Sequence, residues 1–285
     1  MGKRVFEEDP ASIKYHVKKF LLNRKKELTG KVVIDFPSGN GITSRILRDI
    51  GATPFPFDLF PGFFQVEGLE CRRADIRTGI PVGDAFADAL ICQEGIEHFS
   101  DQYQAFREFN RVLKPGGMLL ITTPSYSNIR SRLSYLLMES ERYNRHMPPN
   151  ELDSIWMARP GVSDEIYFGH IFLTGIQKLR VLTKLAGFRI RKVHFVHLKF
   201  SGLIFFPFLY PFILLSNYIA FRKNLRKHKD KDLQKAKKVY REIFALAVNP
   251  KILLDGMLMV EFEKELSCGE VSMYLRGREA GLTVT

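Results

Sequence analysis

The sequence predicts an α/β protein whose strands run parallel and are joined by right-handed helical crossovers. Two observations carry that prediction. From Lys31 onward, short apolar runs alternate with segments of helical spacing, the pattern of repeated β-α-β units. Three of those runs end on an acid, namely Asp35, Asp58 and Asp75, and in an open parallel sheet ligands bind beyond the carboxyl ends of the strands. A length of 285 residues with 45% hydrophobic content suffices for one large domain with insertions and excludes disorder of the whole chain.

The first stretch, "ASIKYHVKKFLLNRKKELTG", has apolar residues at helical spacing and ends on Gly30, so residues 1–30 are expected to form an N-terminal cap helix of about four turns. Strand "KVVID" follows, then a helix to Gly51. Strands "ATPFPFD", "ECRRAD" and "FADALIC" come next, with a helix over 100–113. Strand "GMLLITT" leads on to a helix over 174–186, opened by a capping box from Thr174 to Gln177. The last strands are "FRIRKVHFVH" and "MLMVEFEK". The main domain is expected over 31–200 and 251–264.

Two segments do not fit the alternation. Residues 124–173 are long for a loop in a compact domain and are expected to be a lid or substrate segment. Residues 200–250 form an insertion before the last strand. Its first part, "FSGLIFFPFLYPFILLSNYIAF" (200–221), holds 22 residues without a charge, the length of a membrane span. Pro207 and Pro211 interrupt it, and a true span would leave the final strand across the membrane from its own sheet. The expectation is a segment dipped into one leaflet, with Phe and Tyr at the interface; a subunit interface or a satellite core is the alternative. Residues 222–238 carry nine Lys/Arg against two Asp and supply +7 of the net +12. Such a run attracts anionic headgroups at ~1 kcal/mol per basic residue, so an anionic membrane surface is the partner expected for 200–238. Residues 265–285 are read only as a C-terminal tail.

Cys71, Cys92 and Cys268 show no C-x-x-C spacing, which fits a reducing compartment, and no metal site is expected. "MGKRVFEEDP" has no apolar stretch of the signal-peptide kind. The expected location is cytoplasmic, peripherally attached to the inner face of the membrane.

The turn after the first strand, "DFPSGNG", is the first candidate site. Gly39 and Gly41 allow a ligand to approach the backbone, and the helix that follows opens its N–H groups toward it. Asp58 is placed to accept hydrogen bonds from both hydroxyls of a ribose, and Asp75 to meet an adenine edge. A nicotinamide dinucleotide fits less well, because Ser44 stands where a dinucleotide turn has its third glycine.

The segments "VVIDFPSGNG", "FDLF", "RADI", "ALICQEGIEHF" and "RVLKPGGMLLITTPS" resemble those of the class I S-adenosylmethionine-dependent methyltransferases, over roughly residues 30–200 and 257–264. The resemblance implies a Rossmann-like sheet, mostly parallel with the last strand antiparallel, and S-adenosylmethionine as cofactor. Carried over residue by residue, the cofactor would meet Asp35, Pro37, Ser38, Gly39, Gly41, Asp58, Leu59, Asp75, Ile76, Gln93 and Glu94. Pro37 departs from the family's Asp-x-Gly-x-Gly-x-Gly: it fixes φ and has no N–H to donate. The sulfonium already activates the methyl group, so alignment and removal of an acceptor proton are what remain for the protein. His98 and His170 are the candidate bases, although either can equally cap a helix or bond a loop carbonyl.

After the fourth strand the chain has "CQEGIEH", not the Asn/Asp-Pro-Pro-Tyr of amino methyltransferases of bases, and it has no Pro-Cys pair. Nucleic acid is therefore not the expected substrate, although the basic run leaves contact with an RNA backbone open. "TPSYSNIRSRLSYLL" resembles bacterial methyltransferases of polysaccharide and lipid-linked glycan pathways, and its Arg130 and Arg132 suit either a phosphate clamp or the solvated face of a helix. The function expected is methyl transfer to a hydroxyl of a lipid or lipid-linked glycan. A soluble enzyme acting on a small metabolite or RNA is the alternative, and a non-catalytic S-adenosylmethionine-binding module is a third.

Overall fold

A computed structural model describes residues 5–141, 148–154, 166–198, 200–227 and 233–275. Ser12 caps helix α1 (Ile13–Asn23) by accepting from Lys14 N, and the helix buries Ile13, Val17, Phe20 and Leu21 at the spacing of one face. The single cap helix expected from the sequence is two: α1 stops, and α2 (Lys25–Leu28) follows. Arg24 stands at the break, its guanidinium 2.8 Å from buried Glu261. Gly30 then takes φ +73°, which a residue with a Cβ adopts poorly.

The sheet is built from β1 (Val32–Asp35), β2 (Thr53–Asp58), β3 (Arg72–Arg73), β4 (Ala87–Gln93), β5 (Leu113–Pro124), β6 (Phe188–His194) and β7 (Met257–Lys264). Its order is β3-β2-β1-β4-β5-β7-β6. Pairs among β1 to β5 are parallel, and β7 runs antiparallel to both β5 and β6. β7 thus enters between two earlier strands, which closes residues 195–256 into an excursion.

Helices cover both faces. On one, α1 and α3 (Ile42–Asp49) pack Val17, Leu21, Ile46 and Leu47 against Val33, Ala89 and Ile91. On the other, α4 (Gln102–Val112) and α7 (Ile176–Leu185) pack Phe106, Phe109, Ile176 and Leu179 against Ile34, Leu90 and Cys92. β4 alternates between the two clusters, as a strand covered on both faces must. Buried Lys264 donates to Asn110 O and Leu113 O, both at 2.7 Å, and so ties β7 to the carboxyl end of α4.

Asn128 caps α5 (Ile129–Met138) through Ser131 N, and α6 (Glu151–Ser154) follows. The capping box expected at Thr174–Gln177 does not form. Gly175 is the N-cap of α7 without a side-chain bond; Ser127 Oγ accepts from Ile176 N at 2.8 Å, and Gln177 reaches Ile243 O. A hydroxyl from a distant segment has displaced the local one.

The excursion holds α8 (Phe200–Lys227), α9 (Leu233–Ala247) and α10 (Pro250–Leu254). The aromatic stretch and the start of the basic run make one continuous helix with Pro207 and Pro211 inside it, and α9 returns alongside, with Phe221 against Phe244. α11 (Cys268–Leu275) gives the tail an ordered start. Parts of the expected lid (142–147, 155–165), of the basic run (228–232) and of the tail (276–285) lie outside the described residues.

Candidate active site

The turn after β1 is held from β2. Gly39 N donates to Asp58 Oδ2 and Phe60 N to Oδ1, both at 2.8 Å, and Ser38 N donates to Phe57 O at 2.9 Å. Asp58 therefore shapes the loop and still borders the space in front of it. Gly39 takes φ +52°, and nothing lies within 4 Å of the place a Cβ would occupy, so a ligand can come close. Gly41 serves otherwise than expected. At φ +85° it starts α3, and a Cβ there would lie 2.5 Å from Val66 and 2.6 Å from Phe64. Its bareness admits the loop after β2, and Gly41 is not on the cavity wall.

Asp35 is a second displacement from the expected site. It lies beneath the turn, fully buried, and accepts from Ser44 Oγ at 2.6 Å. Burial, opposed by the Ser44 hydrogen bond, pushes its carboxyl up to about 7. Pro37, the departure from the glycine pattern, packs where Gly95 has no side chain: a Cβ on Gly95 would collide with the proline ring.

In front of this turn opens a cavity of about 630 Å³. Pro37, Ser38, Gly39, Asn40 and Asp58 form one wall, and Gln93, Glu94, His98 and His170 another, with Lys14, Phe60, Phe63 and Tyr167 around them. A smaller apolar chamber of about 120 Å³ adjoins it, lined by Phe36, Leu59, Ala74, Ile76 and Phe99, with Asp75 at its side. The chambers share Pro37, Asp58, Phe60, His98 and Tyr167. Asp58 thus stands between a roomy chamber and a narrow one, room enough for a ribose beside a base. Asp75 gives both carboxylate oxygens to Arg77, at 2.6–3.1 Å; these bonds hold its pKa below the usual carboxylate value.

His98 sits on a 3-10 turn, Ile96–His98, directly after β4. Its Nδ1 donates to Phe168 O at 2.7 Å, because a carbonyl can only accept. The neutral ring then carries its basic lone pair on Nε2. Tyr167 stacks on it at 5.4 Å and 19°, and the His170 ring lies 5.1 Å away. Burial lowers the His98 pKa. Gln102 links the two turns that carry the histidines, donating to Ile96 O at 3.0 Å and Phe172 O at 2.7 Å. Glu97 is fully buried, and desolvation pushes its carboxyl up to about 8. Arg130 and Arg132, read as a phosphate clamp or as one face of a helix, are on α5 and outside the cavity wall.

Residues 34–121 match a family model described as a methyltransferase domain. The fold agrees with a solved S-adenosylmethionine-dependent methyltransferase from Archaeoglobus fulgidus (TM-score 0.51, 13% identity, 91% of this chain and 98% of that one). Residues 34–121 thus carry a methyltransferase domain on a fold of the class I S-adenosylmethionine-dependent kind, and S-adenosylmethionine is the cofactor that this implies. Among curated relatives, a ubiquinone biosynthesis O-methyltransferase of Xanthomonas oryzae pv. oryzae is 30% identical over 111 residues (36% of this chain, 46% of that protein). A protein of Mycolicibacterium smegmatis named "Probable S-adenosylmethionine-dependent methyltransferase" is 31% identical over 100 residues (34% and 39%). The chain thus spans less than half the length of these two relatives. The residues fit the cofactor: Asp58 at the junction of the chambers, an unobstructed Gly39 and an apolar pocket for a base.

Proposed function

We propose that this chain transfers a methyl group from S-adenosylmethionine to a hydroxyl of a lipid or lipid-linked glycan at an anionic membrane surface. When bound, the cofactor supplies a methyl group already activated by the sulfonium. The observation that carries the reading is the facing of two walls: Asp58 and Gly39 hold one side of the cavity, and His98, with its basic nitrogen set by Phe168 O, borders the other. Asp58 anchors and orients; Tyr167 lines both chambers and stacks on His98; His98 is placed to accept the hydroxyl proton. The printed name of the Xanthomonas relative, an O-methyltransferase, supports oxygen as the acceptor atom.

The membrane part is supported by α8. Phe200, Ile204, Phe208, Phe212, Leu215 and Ile219 are all exposed along it, and Arg222, Lys223, Arg226 and Lys227 follow on the same helix. β7 returns to the sheet after it, so the segment is expected to lie in one leaflet and not to cross. The test supplies tritiated S-adenosylmethionine and anionic vesicles containing bacterial polar lipids and polyprenyl-linked glycans. Label in the organic phase, with the protein floating on the vesicles, is the expected result. Label confined to water-soluble metabolites or RNA, with no flotation at low salt, would replace this reading with the soluble one.

A further inference from the structure

We propose that Arg132 binds the phosphate of a phosphate-ester lipid beside the apolar end of α5, at a site separate from the cavity. Arg132 is half-buried, and among the described residues its guanidinium has neither a hydrogen bond nor an ion pair. A fully solvated arginine keeps its water, and one drawn inward is normally met by an acid, as Arg111 is by Glu108 at 2.6 Å. Arg132 has neither arrangement, and burial alone lowers its pKa from the ordinary value. A desolvated cation without a counter-ion costs stability, so this side chain is set for an anion that arrives from outside the fold.

The neighbours of Arg132 select the kind of anion. Tyr135 and Leu136 stand three and four residues on, the spacing of one helix face, and they are 53% and 79% exposed. Leu137 and Met138 continue the exposed apolar end. An inorganic phosphate ion gains nothing from such surroundings, whereas a lipid phosphate brings chains that cover them. The arginine fork can bond two phosphate oxygens at once. α5 also packs against α8, the helix with the exposed apolar row and the basic end. Charge and apolar surface thus agree on one occupant, an anionic lipid.

The use of this site, unlike its binding, rests on the proposed reaction at a membrane. α5 follows the carboxyl end of β5, the edge of the parallel strands on which the cavity opens. Just before α5, Ser127 Oγ accepts from Ile176 N at 2.8 Å, and a bridge joins Ser125 to Thr174. The start of α5 is therefore fixed against the segment that carries His170. One embedded helix leaves a protein free to rotate about it; a phosphate held at Arg132 adds a second point of attachment and removes that freedom. The cavity is then kept at a set angle to the headgroup layer, where the hydroxyl of a lipid acceptor lies.

The experiment uses the full chain and a monomeric probe, dihexanoyl phosphatidate below its micelle concentration, so it needs neither a membrane nor methyl transfer. Titration calorimetry should show one probe bound per chain. Arg132→Met keeps an apolar stem and should weaken binding ~10–100-fold, the loss that goes with bonds to a charged group. Its melting temperature should hold or rise, because an unpaired charge has been removed; a clear fall would mean that Arg132 serves the fold and would overturn the proposal. Leu136→Ser should weaken the probe as well, and inorganic phosphate should bind the parent at least tenfold less tightly. No binding by the parent, an unchanged affinity in Arg132→Met, or inorganic phosphate bound as tightly as the lipid also overturns it. Vesicle flotation separates the two readings. A parent that binds the probe but does not float keeps the site and loses the membrane reading. A parent that floats, with probe affinity indifferent to Arg132, loses the site and keeps the attachment through α8.

Discussion

Strand β4 and helix α8 are both strongly apolar and end in opposite surroundings. Along β4, Leu90, Ile91 and Cys92 have no exposure at all. Along α8, Phe208 is 72% and Phe212 69% exposed, and Gly202 is the one residue of the helix among the buried. β4 divides its side chains between two faces, each already roofed by helices. α8 has neighbours at Gly202, where Leu254 lies 3.5 Å from a side-chain position, and beside α9 at Phe221, but its middle faces outward. Apolar content states that a segment prefers to leave water; period and neighbours decide what receives it.

Truncating one phenylalanine in each region tests this contrast most severely. Phe109→Ala, in the core beside β4, should cost ~3–5 kcal/mol in urea unfolding. Phe208→Ala should stay within ~0.5 kcal/mol; an equal loss at both sites would mean that α8 is packed after all. Next comes the polar rim above the buried strands. Asp58→Ala removes an acceptor bonded to two loop amides and should lower S-adenosylmethionine affinity ~10–100-fold in titration calorimetry, since bonds to a charged group contribute ~1.5–3 kcal/mol. An unchanged affinity would remove Asp58 from the site.

The double variant Phe208→Glu with Phe212→Glu should leave folding intact and cut vesicle flotation about tenfold or more, as a buried Phe is worth ~1.5–3 kcal/mol. High salt on the parent chain should weaken flotation less than that, because it screens only the basic share. The smallest effect concerns a polar group inside. Asp35 is held near 7 against an ordinary 3.8, so the folded state keeps a proton that the unfolded state has lost. Its stabilising share is complete below the ordinary value and disappears as pH rises through about 7. From pH 6 to 8 the parent should lose ~1 kcal/mol that Asp35→Asn does not. Parallel stability curves would show that Asp35 titrates normally.

The sheet is legible in the sequence because its signals are local: each strand reads as an apolar run ended by a turn, and β7 falls on "MLMVEFEK" residue for residue. Asp58 is legible for the same reason, standing at a strand end. Tyr167 and Lys14 border the cavity but arrive from a distant segment and from the cap helix, and no short motif announces them. The glycine motif marks Asp35 and Gly41 as cofactor contacts; Ser44, Phe64 and Val66, which engage them instead, enter the motif in no fixed way. At Thr174 and Gln177 the local cap loses to Ser127, a competition that only the tertiary fold sets up. In the sequence Glu97 stands only as a neighbour of His98, since nothing in the chain order tells that it points inward without a donor.

The place of β7 has a consequence for the order in which the molecule is made. β6 pairs with no described strand except β7, and β7 leaves the ribosome only after residues 195–256. Chains fold from the amino end as they emerge. While the exposed row of α8 is being synthesised, β6 therefore has no partner and one flank of β5 is open. α8 meets its surroundings first, and the sheet closes behind it. A nascent chain arrested just after Lys227 should already associate with anionic vesicles while β6 remains open to protease, which would make attachment an early step of biogenesis and the last strand its latch.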